Sequence, residues 1–120
     1  MLSRLFVDER GMVTVEAAFA LAAIAVFLLV GIGAVAGVAT QIRCTDAARE
    51  IARLTAAGDA SAESVGRSVA PGGARVSVVT SGETVAVTVS SDVPLVPLLT
   101  VSAKAVAAME PVGADDASAQ

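Results

Sequence analysis

One carboxylate stands out among the residues that could do chemistry, because it lies where a carboxylate is costly. Glu16 directly precedes residues 17–39, which include no charged or amide side chain. A charged group at the edge of hydrocarbon is unfavourable unless a partner neutralises it. A cut between Gly11 and Met12 would create an amino group four residues before Glu16. Glu16 could then pair with an amine of its own chain or of an adjacent subunit, or it is simply an interfacial glutamate.

The remaining residues include few that could act as catalysts or ligands. The 120 residues contain no His, Trp or Tyr, one Cys, and 8 basic against 12 acidic side chains. The commonest general base is therefore missing, the usual zinc patterns are excluded, and no phosphate-binding loop or dinucleotide fingerprint occurs. The net negative charge, with no aromatic residue after the apolar run, argues against nucleic-acid binding. We expect no enzyme activity, cofactor, metal, small-molecule substrate or nucleic-acid partner.

Residues 12–39 have the length and composition of a membrane-spanning helix, since about 20 apolar residues cross a bilayer. Arg4 and Arg10 precede this segment, which indicates a cytoplasmic N-terminus and a head outside the cytoplasmic membrane. Gly33 and Gly37 form a G-x-x-x-G pattern that is typical of helix–helix packing in lipid. A generic alanine-rich anchor is the alternative interpretation of these glycines.

The helical pattern continues past the apolar run into an amphipathic segment, residues 40–58. No proline interrupts residues 13–57, so one continuous helix of about 65–70 Å is expected, with Gly58 as its stop. Cys44 lies on the apolar face of this segment. As the only cysteine it is either an intermolecular disulfide or reactive thiol, or a small apolar residue that packs in a core.

Residues 59–111 predict a small α/β head. A short helix capped by Asp59 or Ser61 is expected first, and Pro71 ends it. Period-two patterns predict strands at 75–80 and 84–90, and residues 100–109 predict a third strand, with a helix as the runner-up. Two prolines make residues 92–99 a connector that packs over the sheet or against lipid. Residues 112–120 are expected to be a disordered tail.

The fold class expected from these patterns is α+β. A long N-terminal transmembrane and amphipathic helix is followed by a small head, which contains a short helix and a three-stranded antiparallel sheet. The head is small enough that only a thin core is expected, which a membrane or a partner would support.

The N-terminal residues resemble a class III (type IV) prepilin signal: a short charged leader, Gly11 before the cut, Glu16 as the fifth mature residue, and then an apolar helix. Together with residues 41–49 and 101–111, they are similar to TadE-like minor pilins of the tight-adherence (Flp) pilus. The resemblance implies that a prepilin peptidase removes residues 1–11 on the cytoplasmic side. It also implies that Glu16 neutralises a neighbouring subunit's N-terminus during assembly.

The implied partners are the membrane, the prepilin peptidase, other pilin or pseudopilin subunits and the pilus assembly platform. The implied location is the cytoplasmic membrane, in a single pass, or an extracellular pilus. Asp8 and Glu9 dilute the positive charge of the leader, and the apolar run lacks the proline of many pilin-like helices. Two other classes of protein stay open: an uncleaved membrane-anchored protein that binds an envelope or secretion-complex partner, and a soluble module released at Ala36 by ordinary signal-peptide cleavage.

Overall fold

The computed structural model describes residues 2–111, and it describes side chains from Glu9 onward. The elements follow in the order α1 (Leu2–Ala56), α2 (Ala62–Val69), β1 (Arg75–Ser81), β2 (Thr84–Asp92) and β3 (Thr100–Ala108). The α+β layout predicted from the sequence is confirmed. The chain divides into two compact units, residues 1–35 and 36–120. The predicted disordered tail, 112–120, lies outside the described residues.

Helix α1 begins earlier than the sequence pattern predicts, at Leu2 instead of near residue 13. The segment ahead of Met12 contains no proline, and Gly11 alone opposes helix by only about 1 kcal/mol relative to alanine. The part from Glu9 to Ala56 is the one helix in the described residues that is long and apolar enough to cross a membrane. From Glu9 to Ile32 every side chain is exposed. From Ala17 onward none of these residues is charged or polar, and a helix that is apolar all round needs a membrane or a protein core to cover it.

The C-terminal end of α1 is closed as the sequence predicts. Gly58 has a positive φ of 76°, its N–H donates to the carbonyl of Thr55 at 3.0 Å, and the Asp59 N–H donates to the carbonyl of Leu54 at 2.9 Å. These two bonds are the pair of a Schellman motif, which satisfies helix carbonyls that would otherwise lack a donor. The helix therefore ends in a turn that favours glycine.

The three strands form one antiparallel sheet in the order β1-β2-β3. Strands β1 and β2 are joined by the two-residue loop Gly82–Glu83, and Gly82 has a φ of 57°, as a tight hairpin with a leading glycine requires. Residues 100–108 are a strand and not the runner-up helix. Pairing with β2 overrides their alanine content because it buries alternate side chains.

The core of the head lies between the second half of α1 and one face of the sheet. Val85, Val87 and Val89 of β2 are fully buried. They cluster with small residues of the helix, and alanines of β3 pack at the margin of this cluster. The helical members are Cys44, Ala47, Ala48, Ile51 and Ala52. Small side chains on both sides produce the thin core that the length of the head predicts.

Helix α2 contacts this core through a glycine. Gly66 is buried, and a Cβ placed there would collide with Cγ1 and Cδ1 of Ile51. Ser61 occupies the N-cap position without a side-chain cap bond. Asp59 instead accepts the Ser61 N–H at 2.8 Å and the Ser61 hydroxyl at 2.7 Å, so both predicted capping residues take part in the entry turn.

Candidate functional site

Gly11, Met12, Val15 and Glu16 line one shallow apolar depression on the surface of α1. They share a face because residues four apart on a helix lie side by side, about 5–6 Å between Cβ atoms. Met12 is 73% exposed, and an added Cβ on Gly11 would meet nothing within 4 Å. The bond that the sequence marks for cleavage therefore lies on an open surface, one helical turn before Glu16.

Glu16 has no ion-pair partner among the side chains that the structure describes, those of residues 9–111. Among residues 9–111, the ion pairs are Glu50–Arg53, Glu63–Arg67 and Arg75–Asp92. Glu16 is exposed and belongs to none of them. The depression beside it is almost wholly apolar, so an amine brought there would find one negative group in an apolar surround. If lipid or a neighbouring helix covered this surface, such a pair would be worth far more than one in water.

Helical structure extends across the predicted cleavage site, Gly11–Met12, and would hinder a peptidase. A helical carbonyl is hydrogen-bonded to the N–H four residues later and is shielded by the turn. A peptidase that cleaved the predicted site would therefore have to open at least one turn around Gly11 and Met12. Glycine lowers the cost of that opening by about 1 kcal/mol relative to alanine. Thr14 Oγ1 donates to the Arg10 carbonyl at 3.0 Å, and this bond also has to break.

The two glycines of the G-x-x-x-G pattern are both half-buried. An added Cβ on Gly37 would lie 4.0 Å from Cγ1 of Val93, so this glycine is adjacent to the end of β2 in its own chain. Packing of Gly33 and Gly37 against another helix stays a prediction. A Cβ at position 37 would therefore fit at ordinary van der Waals distance from Val93, so this neighbour does not itself require a glycine.

Cys44 is fully buried in the core of the head. Desolvation by this burial raises the pKa of its thiol, which lowers the thiolate fraction and hence the reactivity of the sulfur. An intermolecular disulfide would require the head to open. The geometry is that of the second alternative, a small apolar side chain on the packed face of the helix.

Polar groups at the end of β2 form a cluster that sequence patterns did not reveal. The Asp92 carboxylate accepts a hydrogen bond from the Thr100 hydroxyl at 2.7 Å and a longer one from Arg75 at 3.4 Å. The Thr100 bond first, and Arg75 second, hold the pKa of Asp92 below its ordinary value. Only the pairing of all three strands brings these residues together, so no local signal could have found them.

Within residues 9–111, no three His, Cys, Asp or Glu side chains converge on a point where a metal could bind. No protein-family model matches the chain, and no solved structure matches it. A curated protein of Mycobacterium tuberculosis, strain H37Rv, named "Apoptosis inhibitor Rv3655c", is 45% identical over 97 residues. The alignment covers 80% of this chain and 78% of the relative. The chain belongs to the same family as this mycobacterial protein.

Proposed function

We propose that the protein is a minor pilin or pseudopilin of a Flp-type, type IV-like pilus, cleaved after Gly11 and assembled through α1. One observation carries the proposal. Gly11, Met12 and Glu16 lie on one exposed face of a helix whose next 23 residues, 17–39, have no charged side chain. The bond proposed for cleavage and the carboxylate thus lie about one turn apart, just before the apolar segment begins. The protein would be a structural or assembly component and not an enzyme.

Hydrolysis by the peptidase adds water across the Gly11–Met12 amide. The leader leaves with a carboxylate on Gly11, and Met12 gains an ammonium group. The new helix start has four N–H groups without intrahelical acceptors and a partial positive charge. Glu16 lies just beyond these groups and offers the one negative charge in the segment. The carboxylate can bind the ammonium of its own chain or that of an adjacent subunit, and only the second arrangement links two chains.

The first experiment determines the N-terminus of the mature protein by mass spectrometry in cells that contain a prepilin peptidase. A start at Met12 supports the proposal. An intact leader would indicate the uncleaved anchored protein, and a start at Gly37 would indicate the secreted module. Gly11→Ala should retain the leader, because the added methyl group stabilises the helix across the bond and fills the position before the cut. Gly31→Ala is the matched control, since an added Cβ there also meets nothing within 4 Å.

The second experiment tests whether the Glu16 carboxylate is needed for assembly and not for cleavage. Glu16→Gln keeps the size of the side chain and removes its charge, so we expect cleavage to continue while assembly into fibres or assembly-platform complexes is lost. Glu9→Gln removes a carboxylate from the leader, which is absent after cleavage, and should assemble normally. Normal assembly of the Glu16→Gln protein would refute the role proposed for Glu16.

The name of the mycobacterial relative attributes inhibition of apoptosis to that protein. We do not carry this activity over to the present chain, because no site in the described residues supplies a mechanism for it. Instead, the proposal rests on the spacing of Gly11, Met12 and Glu16 and on the apolar helix that follows. Both point to a single-pass anchor in the cytoplasmic membrane, with the N-terminus inside and the head outside.

A further inference from the structure

We infer that the connector between β2 and β3, residues 93–99, inserts its leucines into the outer edge of the bilayer, as a second membrane contact of the head. The inference rests on the membrane anchor of the proposed function, and adds to it a contact that fixes how the head stands on the lipid surface. The predicted alternative, packing of this connector over the sheet, is not what the structure shows for its most exposed side chains.

The leucines of the connector are displayed to the outside to an unusual degree. Leu98 is fully exposed at 104%, Leu95 is 78% exposed, and Leu99 is 45% exposed. Leu98 and Leu95 also have φ values of 74° and 70°, a left-handed conformation that is uncommon for residues other than glycine, asparagine and aspartate. Strain of this kind persists only where the surroundings or a function require it. Apolar side chains held outward by a strained backbone indicate an apolar environment that receives them.

The position of the connector identifies that environment. Val93 lies beside Gly37, two residues before the uncharged run ends at Ala39. Gln41 Nε2 donates to the Ser102 carbonyl at 3.1 Å near the start of β3, whereas the Glu110 N–H donates to the Ala56 carbonyl beyond its end. Strand β3 therefore runs along residues 41–56 of α1, with its first residues near Gln41 and its far end near Ala56. The connector precedes those first residues, next to the point where the uncharged run ends at Ala39.

The backbone of the connector is suited to a medium that offers no hydrogen bonds. The Val93 N–H donates to the Leu99 carbonyl at 2.9 Å and closes the loop at its base. The N–H groups of Val96 and Leu99 donate to the carbonyls of Val93 and Val96, each at 3.3 Å. Two further positions are prolines and have no N–H. Within 93–99, only Leu95 and Leu98 then have N–H groups without a backbone acceptor, which limits the cost of leaving water.

The chemistry of the surroundings favours lipid over a protein partner. Residues 93–99 contain no polar side chain, and no charge occurs between Asp92 and Lys104. Protein interfaces usually surround their apolar centre with polar groups that pair across the contact. Here the polar groups lie only at the base, where Asp92 binds Thr100 and Arg75. An apolar tip above a charged base matches the change from acyl chains to headgroups.

The test uses the absence of tryptophan and tyrosine from the chain. Leu98→Trp introduces a single fluorophore at the tip of the connector, and Leu95→Trp is prepared in parallel in case the first variant misfolds. Val79→Trp is the matched control: Val79 is 58% exposed and pairs through Ala86 with Val106, six residues along β3 from its start. Phe27→Trp reports insertion of the anchor itself. Protection of the buried Cys44 thiol from a maleimide verifies that each head is folded.

Each full-length variant is reconstituted in vesicles of phosphatidylcholine and phosphatidylglycerol in equal parts, with and without lipids brominated near the headgroup end of the acyl chains. We expect the fluorescence of Leu98→Trp to shift to shorter wavelength and the brominated lipids to quench most of its intensity. The wavelength and intensity of Val79→Trp should stay unchanged. Long-wavelength, unquenched emission of the connector variants, with Phe27→Trp quenched by bromine placed deeper, overturns the inference but leaves the anchor standing. A short-wavelength signal without quenching would mean burial against protein and overturns it as well. If Phe27→Trp also escapes deep bromine, the anchor fails and the inference fails with it.

Discussion

The contact between Gly66 and Ile51 allows a prediction in which two physical effects have opposite signs. Alanine is the better helix former, so replacing a helical glycine by alanine should stabilise the protein by about 0.5–1 kcal/mol. The added methyl group, however, would overlap the Cγ1 and Cδ1 atoms of Ile51. Ile51 is fully buried in the core, and close-packed protein interiors contain few voids into which a side chain could move. Overpacking of this kind costs about 1–3 kcal/mol, so Gly66→Ala should destabilise the head by about 1–2 kcal/mol.

The buried thiol provides the assay. Cys44 is the only cysteine and is fully buried, so its rate of modification by a maleimide reports the fraction of open heads when closing is faster than labelling. A loss of 1–2 kcal/mol should raise that rate by about 5–30-fold. Gly72→Ala is the control, because an added Cβ there meets nothing within 4 Å. An unchanged or slower rate for Gly66→Ala would refute the reasoning and show that α2 moves away easily.

A double-mutant cycle isolates the contact itself. Ile51→Ala removes the two atoms that an alanine at position 66 would overlap, and costs about 2–5 kcal/mol by itself. In that background, Gly66→Ala should cost little or even stabilise, because helix propensity is then unopposed. Equal effects of Gly66→Ala in both backgrounds would show that the strain arises elsewhere.

Three further predictions concern the head. Val87→Ala should destabilise it by about 2–3 kcal/mol, because the change leaves a cavity at a fully buried position. Val79→Ala, on the outer face, should change the free energy of unfolding in urea by less than about 0.5 kcal/mol. Asp92→Asn should lower the urea midpoint near neutral pH, because Thr100 and Arg75 depress the pKa of Asp92 in the folded protein. The extra stability of the wild type should be present above about pH 4 and should disappear as the pH falls through the depressed pKa. Treatment of the folded protein with a copper oxidant should give no disulfide-linked dimer on non-reducing gels, and dimers should form in urea; dimers without urea would contradict the burial of Cys44.

The hydrophobic periodicity of the sequence and its turn-forming residues were sufficient to predict most of the helices and strands. Alternation of Val85, Val87 and Val89 predicted β2, and Gly58 predicted the end of α1, because both signals are local. The runner-up helix at 100–109 was wrong because pairing with β2 places alternate alanines of β3 half-buried against the core, and pairing is not visible in composition. Gly66 and the Asp92 cluster were missed for the same reason, since their partners lie in other elements.

In the candidate site, too, only the relations within one element could be predicted from the sequence. The spacing of Gly11, Met12 and Glu16 can be read from the sequence, because residues on one helix keep fixed relations. Gly37 could not be assigned in this way: its pattern predicts packing against another helix, and its contact with Val93 depends on how β2 ends. The leucines of the connector could be recognised as apolar, but their outward display depends on backbone conformations that leucine rarely adopts.

The two parts of α1 differ in how far their side chains are covered by the rest of the chain. From Glu9 to Ile32 all side chains are exposed, whereas from Cys44 to Ala52 one face of small residues is buried by the sheet and the charged residues lie on the other. The second part is thus already occupied by its own head and has little apolar surface left for a neighbour. In the proposed assembly, contacts between subunits would then come mainly from residues 12–39, where Glu16 has the only charge. If the subunits assemble as proposed, one carboxylate in such a surface would be enough to set their register, because any arrangement that leaves it unpaired in an apolar surround is costly.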